Sequence, residues 1–221
     1  MNPSEPTPAI SAEEFRKFRD FFYRKTGIHF EDTKRYFVDK RLIERIQATD
    51  SDNFRNYFVM LRFQASGEEL QALINLMTVN ETYFFREEYQ FRCLVNSILP
   101  EIAQRKGRDE PIRIWSVPSS SGEEPYSLAI YLLEHWPRVD EYDIELVASD
   151  IDTSILEKAR QGCYDKRAVS HLPEPLLRKY FSALPNVQYQ ISDDLRQSVE
   201  FTQVNITDLS QMRGYRDFDV V

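Results

Sequence analysis

The chain has 221 residues, enough for one large domain or two modest ones, and a formal charge of −8. Residues 1–80 carry twelve basic and twelve acidic side chains, so the whole excess lies in residues 81–221, with sixteen basic against twenty-four acidic. That acidic half argues against wrapping a nucleic-acid backbone, no apolar run reaches membrane-spanning length, and no secretory leader is visible at Met1 to Ala9. Two cysteines, Cys93 and Cys163, match no disulfide framework or metal-ligand spacing; a reducing, cytoplasmic setting with both thiols buried is expected.

In chain order, residues 1–10 are proline-rich and read as a loose tail. The stretch SAEE (11–14) has capping-box form, and Phe15, Phe18, Phe22 and Tyr23 follow at helical spacing to a stop at Gly27. A second helix is expected from Asp32 to Gln47 with Phe37, Leu42, Ile43 and Ile46 as its apolar side. On it Lys34, Arg41 and Arg45 share one azimuth, giving either a solvated face or a docking surface for an acidic partner. A third helix starts at Ser51 or Asp52, and a fourth opens with a second capping-box pattern, SGEE (66–69). Nothing before Thr78 reads as a strand, so residues 11–78 are expected to form a small all-helical domain.

The segment VNETYFFRE (79–87) breaks this pattern with Asn80, Thr82 and Arg86 set among aromatics, and a helix over 87–106 completes a connecting region, 79–111. The strand from Ile112, the small-residue turn at Pro118 to Gly122 and the helix carrying Pro125 in its first turn make the mouth of an open α/β sheet, where ligands dock outside the strand ends. Glu123 and Glu124 stand where a phosphate cradle would have glycine and lysine. A second strand, 143–150, ends in Asp150, the position that binds ribose hydroxyls in dinucleotide folds, and Thr153 is expected to cap the next helix. Together these features point to a nucleoside ligand with no phosphate. Residues 163–198 interrupt the alternation and read as an inserted subdomain with an edge strand at 187–191. The sheet resumes at 199–205, and a fourth strand begins at Phe218 as the sequence ends, so the doubly wound sheet is expected to be incomplete.

These motifs resemble one family, the CheR-type chemotaxis receptor methyltransferases, which use S-adenosylmethionine. The likeness rests on VNETYFFRE (79–87), IWSVPSSSGEEPYSLA (114–129), ASDIDTSILEKARQGCY (148–164) and VEFTQVNI (199–206), with a GI…K…RL pattern at Gly27, Ile28, Lys34, Arg41 and Leu42. It implies an α/β protein: a helical N-terminal domain, then a Rossmann-like methyltransferase sheet over 112–221 with residues 163–198 as a β-subdomain and the last strands absent from this chain.

The resemblance implies cofactor contacts at Asn80, Thr82, Arg86, Glu124, Asp150, Asn205 and Ile206. Asp150 would hold the ribose, Asn205 and Ile206 the adenine, Glu124 the amino group, and Asn80, Thr82 and Arg86 the methionine end. Arg86 would also orient a carboxylate near the methyl group. The implied reaction methylates glutamates on the cytoplasmic helices of chemoreceptors, with Lys34, Arg41 and Arg45 facing those helices and S-adenosylhomocysteine as product. Ser119 stands where the family often has cysteine or alanine. The family's RNV-type motif and its nearby tyrosine, which by the resemblance contribute cofactor and substrate contacts, fall beyond Val221, so this polypeptide alone can lack activity. After Tyr180 and Phe181 no glycine follows, unlike members that grip a receptor pentapeptide, so the pentapeptide-independent type is expected. The rival readings are a nucleic-acid or small-molecule methyltransferase, and a non-catalytic module that binds the cofactor or the receptor.

Overall fold

The computed structural model describes residues 10–221, which fall into two compact units, one ending at Val79 and the other spanning Asn80–Val221. The tail expected over residues 1–10 lies outside the described residues except for Ile10, which is buried.

Among its described residues the first unit holds four α-helices, α1 (Ala12–Thr26), α2 (Arg35–Ala48), α3 (Phe54–Phe63) and α4 (Glu68–Met77), with a 3-10 turn at Asp32–Lys34 leading into α2. Ser11 and Glu14 form the reciprocal capping box of α1, and Gly27 ends that helix in the left-handed region. Its buried side is Phe15, Phe18, Phe21 and Phe22; Tyr23 is exposed. Helix α2 buries Val38, Leu42 and Ile46, while Phe37 and Ile43 are only half-buried. Helix α3 is capped by Asn53, one residue later than the expected Ser51 or Asp52. At α4 the expected box does not form. Gly67 occupies the cap position, the Gln64 side chain takes the Glu69 N–H at 2.7 Å, and the Glu69 carboxylate turns inward. There it accepts two bonds from Arg45, at 2.9 and 2.6 Å, and a third from the Tyr57 hydroxyl at 2.8 Å. A buried carboxylate needs charge-assisted partners of this kind more than a helix end needs a cap.

The second unit begins with a strap, residues 80–87, in which Phe85 and Glu87 take positive φ. Helices α5 (Glu88–Cys93) and α6 (Leu99–Arg105) are joined through a π-helical turn, Leu94–Ile98. Pro100 has no N–H to donate to the carbonyl four residues back and its ring crowds that carbonyl, which favours the wider turn before it. Cys93 lies on the exposed side of α5 and Cys163 is half-buried, so neither thiol is sealed in the core as expected.

Strands β1 (Ile112–Ser116), β2 (Ile144–Asp150) and β6 (Val199–Gln203) form a parallel sheet in the order β1-β2-β6. On the free side of β1, Val220 bridges Ile114 in parallel, and the Val220 carbonyl accepts the Trp115 N–H at 2.9 Å. The chain therefore leaves β1 toward one side first and returns to its other side later, which makes the carboxyl end of β1 a topological switch point. Helices α7 (Glu123–His135) and α8 (Thr153–Gln161) follow β1 and β2 and bury Tyr126, Ile130, Leu156 and Ala159 in the large core that also takes Ile114 and Ala148 from the strands. A separate small cluster gathers Trp115, Val147 and Val204 beneath the stacked rings of Tyr215 and Phe218.

Between α8 and β6 the chain builds an antiparallel sheet ordered β3-β5-β4, from β3 (Cys163–Asp165), β4 (Phe181–Leu184) and β5 (Gln188–Ile191). Short helices α9 (Glu174–Tyr180) and α10 (Asp193–Gln197) flank it. Strand β5 is the middle strand of this sheet, since β3 and β4 pair on either side of it; the expected edge strand is corrected accordingly.

Candidate active site

The loop after β1 is built for close approach. Ser119 N–H bonds the Ser149 carbonyl at 2.8 Å and so lays the loop over the end of β2. Ser120 sits at φ +50 and directs its N–H to Asp150 Oδ2 at 2.8 Å. Gly122, at φ +93, starts α7; a Cβ there would lie 3.0 Å from the Tyr126 ring and 3.1 Å from both Ala159 Cβ and the Tyr164 hydroxyl. Both the backbone angle and the packing therefore require glycine.

Asp150 ends β2 almost fully buried. Its second carboxylate oxygen takes the Asp152 N–H at 3.0 Å. Burial raises its pKa, and the backbone donors of Asp152 and Ser120 pull the other way. A carboxylate offers two acceptor oxygens with about four lone-pair sites, the donor-seeking chemistry that hydroxyls satisfy. Asp152, rather than Thr153, caps α8, accepting the N–H groups of Ser154 and Ile155 at 2.9 and 3.0 Å. A carboxylate can serve two such donors at once, which a threonine hydroxyl does less well. Its other oxygen takes the Asn80 side-chain amide at 3.1 Å, tying the strap to the tip of β2.

The structure gathers much of the predicted constellation at the strand tips. Glu124 accepts the Ser116 hydroxyl at 2.8 Å at the end of β1. Asn205 follows Val204, whose N–H bonds the Asp150 carbonyl at 3.0 Å, and its side chain is turned to Thr207. Ile206 is exposed beside it. Thr82, half-buried, lines a cavity of about 390 Å³ together with Asn80, Ser121, Glu123 and Tyr164. Glu124, Asp150 and Asn205 lie outside that lining. Arg86 is exposed and folds back on its own segment, donating to the Glu81 carbonyl at 2.9 Å.

In the helical unit, Arg45 is paired with Glu69, and Arg41 donates to the Leu76 carbonyl and covers the Phe37 ring at 3.4 Å. Only Lys34 of that trio stands fully exposed. The positive face read from helical spacing is thus thinner than three charges.

Sequence reasoning missed several groups. Glu123 is buried with a raised pKa, caused first by that burial, and takes the Ser121 hydroxyl at 2.6 Å. The hydroxyls of Ser119 and Ser120 are buried with no hydrogen-bond partner among the described residues. A run of serines in a strand–turn–helix mouth was the available signal. Orphaned donors beside an acceptor-rich carboxylate suit a polar ligand bearing both hydroxyl and amino groups.

Two family models match this chain. The CheR methyltransferase SAM-binding domain covers residues 80–221, and the CheR methyltransferase all-alpha domain covers residues 13–78. The chain belongs to the CheR methyltransferase family. Chemotaxis protein methyltransferase 2 of Vibrio cholerae is 55% identical over 212 residues, which is 96% of this chain and 73% of that protein. A protein of the same name in Pseudomonas aeruginosa is 37% identical, covering 93% of this chain and 75% of its own length. The chemotaxis protein methyltransferase of Salmonella typhimurium is 36% identical, with 90% and 67% covered. CheR proteins are S-adenosylmethionine-dependent methyltransferases, and S-adenosylmethionine is the cofactor of residues 80–221. The acid-rich strand tips and unpaired serine hydroxyls fit that group, a nucleoside with an amino-acid tail and no phosphate. No helix among the described residues is long and apolar enough to cross a membrane.

Proposed function

We propose that this chain methylates glutamate side chains on the cytoplasmic helices of chemoreceptors, acting in the cytoplasm. The observation that carries the reading is the buried Asp150 at the tip of β2, with a backbone donor on each oxygen of its carboxylate and the orphaned serines next to it. The chemotaxis relatives support the choice of substrate.

In this reading Asp150 accepts the ribose hydroxyls while Asn205 and Ile206 flank the adenine. Glu124 takes the amino group, and Asn80, Thr82 and Arg86 close over the methionine end. When bound, the cofactor supplies a methyl group on a positively charged sulfur. The acceptor glutamate is already ionised at neutral pH, so the protein needs no general base. Its task is to hold the carboxylate in line and keep water out, because opposite charges are neutralised as the new oxygen–carbon bond forms and the sulfur–carbon bond breaks. Arg86, exposed, held by the Glu81 carbonyl and lying over the Tyr83 ring, both in its own segment, can swing to orient that carboxylate.

Calorimetric titration with S-adenosylhomocysteine, followed by assay of radiolabelled methyl transfer to receptor-containing membranes and to free nucleosides and DNA, tests the proposal. Transfer to nucleic acid with none to receptors would reject it. The β4–β5 connection carries Asn186 and Val187 at positive φ without a glycine, and we take the chain to be pentapeptide-independent. A receptor C-terminal pentapeptide is accordingly expected to give no heat of binding in the same titration cell.

The partner face proposed at Lys34, Arg41 and Arg45 has its charge diminished by the Arg45–Glu69 pair, so steering rests chiefly on Lys34 and Arg41. Lys34→Glu is expected to slow association with an acidic receptor helix by about threefold at low salt and by little at high salt. Equal rates at both salt concentrations for mutant and wild type would remove Lys34 from the interface.

A further inference from the structure

The β-subdomain touches both walls of the proposed cofactor site through one side chain. Tyr164 lies on β3, 4% exposed, and its hydroxyl donates to the Ser121 carbonyl at 2.9 Å. Ser121 sits between Ser120 and Gly122, both at positive φ. A non-glycine residue such as Ser120 keeps that conformation only where its surroundings fix it. On one side the loop is fixed by β2, through Ser149 and Asp150. Tyr164 fixes it from the opposite side.

The same ring meets the strap. Phe84 packs edge-on against Tyr164 with centroids 4.8 Å apart, and its N–H bonds the Ala168 carbonyl, also in the inserted segment, at 2.9 Å. The strap carries Asn80 and Thr82. A shift of β3 therefore moves the loop that meets Asp150 and the strap that covers the cavity.

We propose that Tyr164 is a positioning residue that couples the β-subdomain to cofactor affinity, so that whatever orders the subdomain tightens cofactor binding and the cofactor in turn orders the subdomain. This rests on reading the Ser119–Gly122 loop and Asp150 as the cofactor site. The reciprocity is thermodynamic: a coupling free energy between two equilibria acts equally in both directions. It assigns the inserted sheet a role inside the catalytic unit, in addition to any contact it makes with receptors.

Hydrogen exchange and calorimetry on the whole chain test it. Adding S-adenosylhomocysteine to the wild type should slow amide exchange in β3 and β5 as well as in the 119–122 loop. Tyr164→Phe, which keeps the ring and removes the hydroxyl, should weaken binding about three- to tenfold, the scale of one hydrogen bond. It should also abolish the ligand-dependent protection in β3 and β5 while leaving protection at Asp150 in place. Gln188→Ala, an exposed substitution on β5, should bind within twofold of the wild type. Unchanged affinity in Tyr164→Phe, an equal loss in Gln188→Ala, or a wild-type subdomain indifferent to ligand would each overturn the coupling. A wild type that binds no S-adenosylhomocysteine would instead sink the reading of the site, and the coupling with it.

Discussion

Asp150→Ala is expected to weaken S-adenosylhomocysteine binding by about a hundredfold, the loss of two hydroxyl bonds to a charged acceptor. Asp150→Asn should be nearly as damaging despite its matching size. One carboxylate oxygen faces the Ser120 N–H and the other the Asp152 N–H, so the amide NH₂ must confront a donor whichever way it turns. In the wild type, burial holds the Asp150 pKa above the usual aspartate range. Ligand hydroxyls favour the ionised form, so bound protein has the lower pKa. Affinity is then complete above the free protein's value and falls as the pH drops through it, beginning at a higher pH than for an ordinary aspartate. Calorimetry across a pH series measures this directly. Affinity within threefold of wild type in either variant would show that Asp150 holds the loop and nothing else.

Glu69→Ala should produce the largest stability loss in the helical unit, about 2–4 kcal/mol, because it leaves the fully buried Tyr57 hydroxyl without its acceptor and the half-buried Arg45 guanidinium without its carboxylate. The phenol is buried and its pKa is raised, chiefly by that burial. Replacing the whole triad with apolar residues, as in Arg45→Met with Tyr57→Phe and Glu69→Leu, is expected to restore most of the loss, since no group is then left unpaired. Denaturant melts followed by exchange at α2 and α4 amides distinguish the two. The comparison also bears on receptor docking. If Arg45→Ala leaves stability untouched and weakens receptor binding, Arg45 belongs to the partner surface after all.

The strand–turn–helix order, the acid at the end of β2 and the inserted subdomain were all legible in the sequence, because Pro118, Gly122 and the apolar runs punctuate them locally. The cap at Ser11 was legible for the same reason: donor and acceptor are three residues apart. At Ser66 an identical pattern misleads. There Glu69 has a second option, Arg45, twenty-four residues earlier in sequence, and no local rule ranks the two. Asp152 displaced Thr153 as a cap for a related reason, since Asn80 fixes its second oxygen from seventy-two residues away. The burial of Glu123 in place of Glu124 likewise depends on what lies across the fold. Adjacent acids at a helix start point in different directions, and sequence cannot say which one faces inward.

The strap has a consequence for how the molecule is made. Its ties run to Ser127, Asp152 and Arg167, contacts spanning 42, 72 and 86 positions. Segments held only by distant contacts order after their partners exist, since closing a long loop costs entropy before any contact repays it. A nascent chain leaving the ribosome therefore carries this stretch unanchored until most of the later domain has emerged. Those partners all precede β6 in the chain, so the mouth of the cleft can be anchored before the parallel sheet is complete.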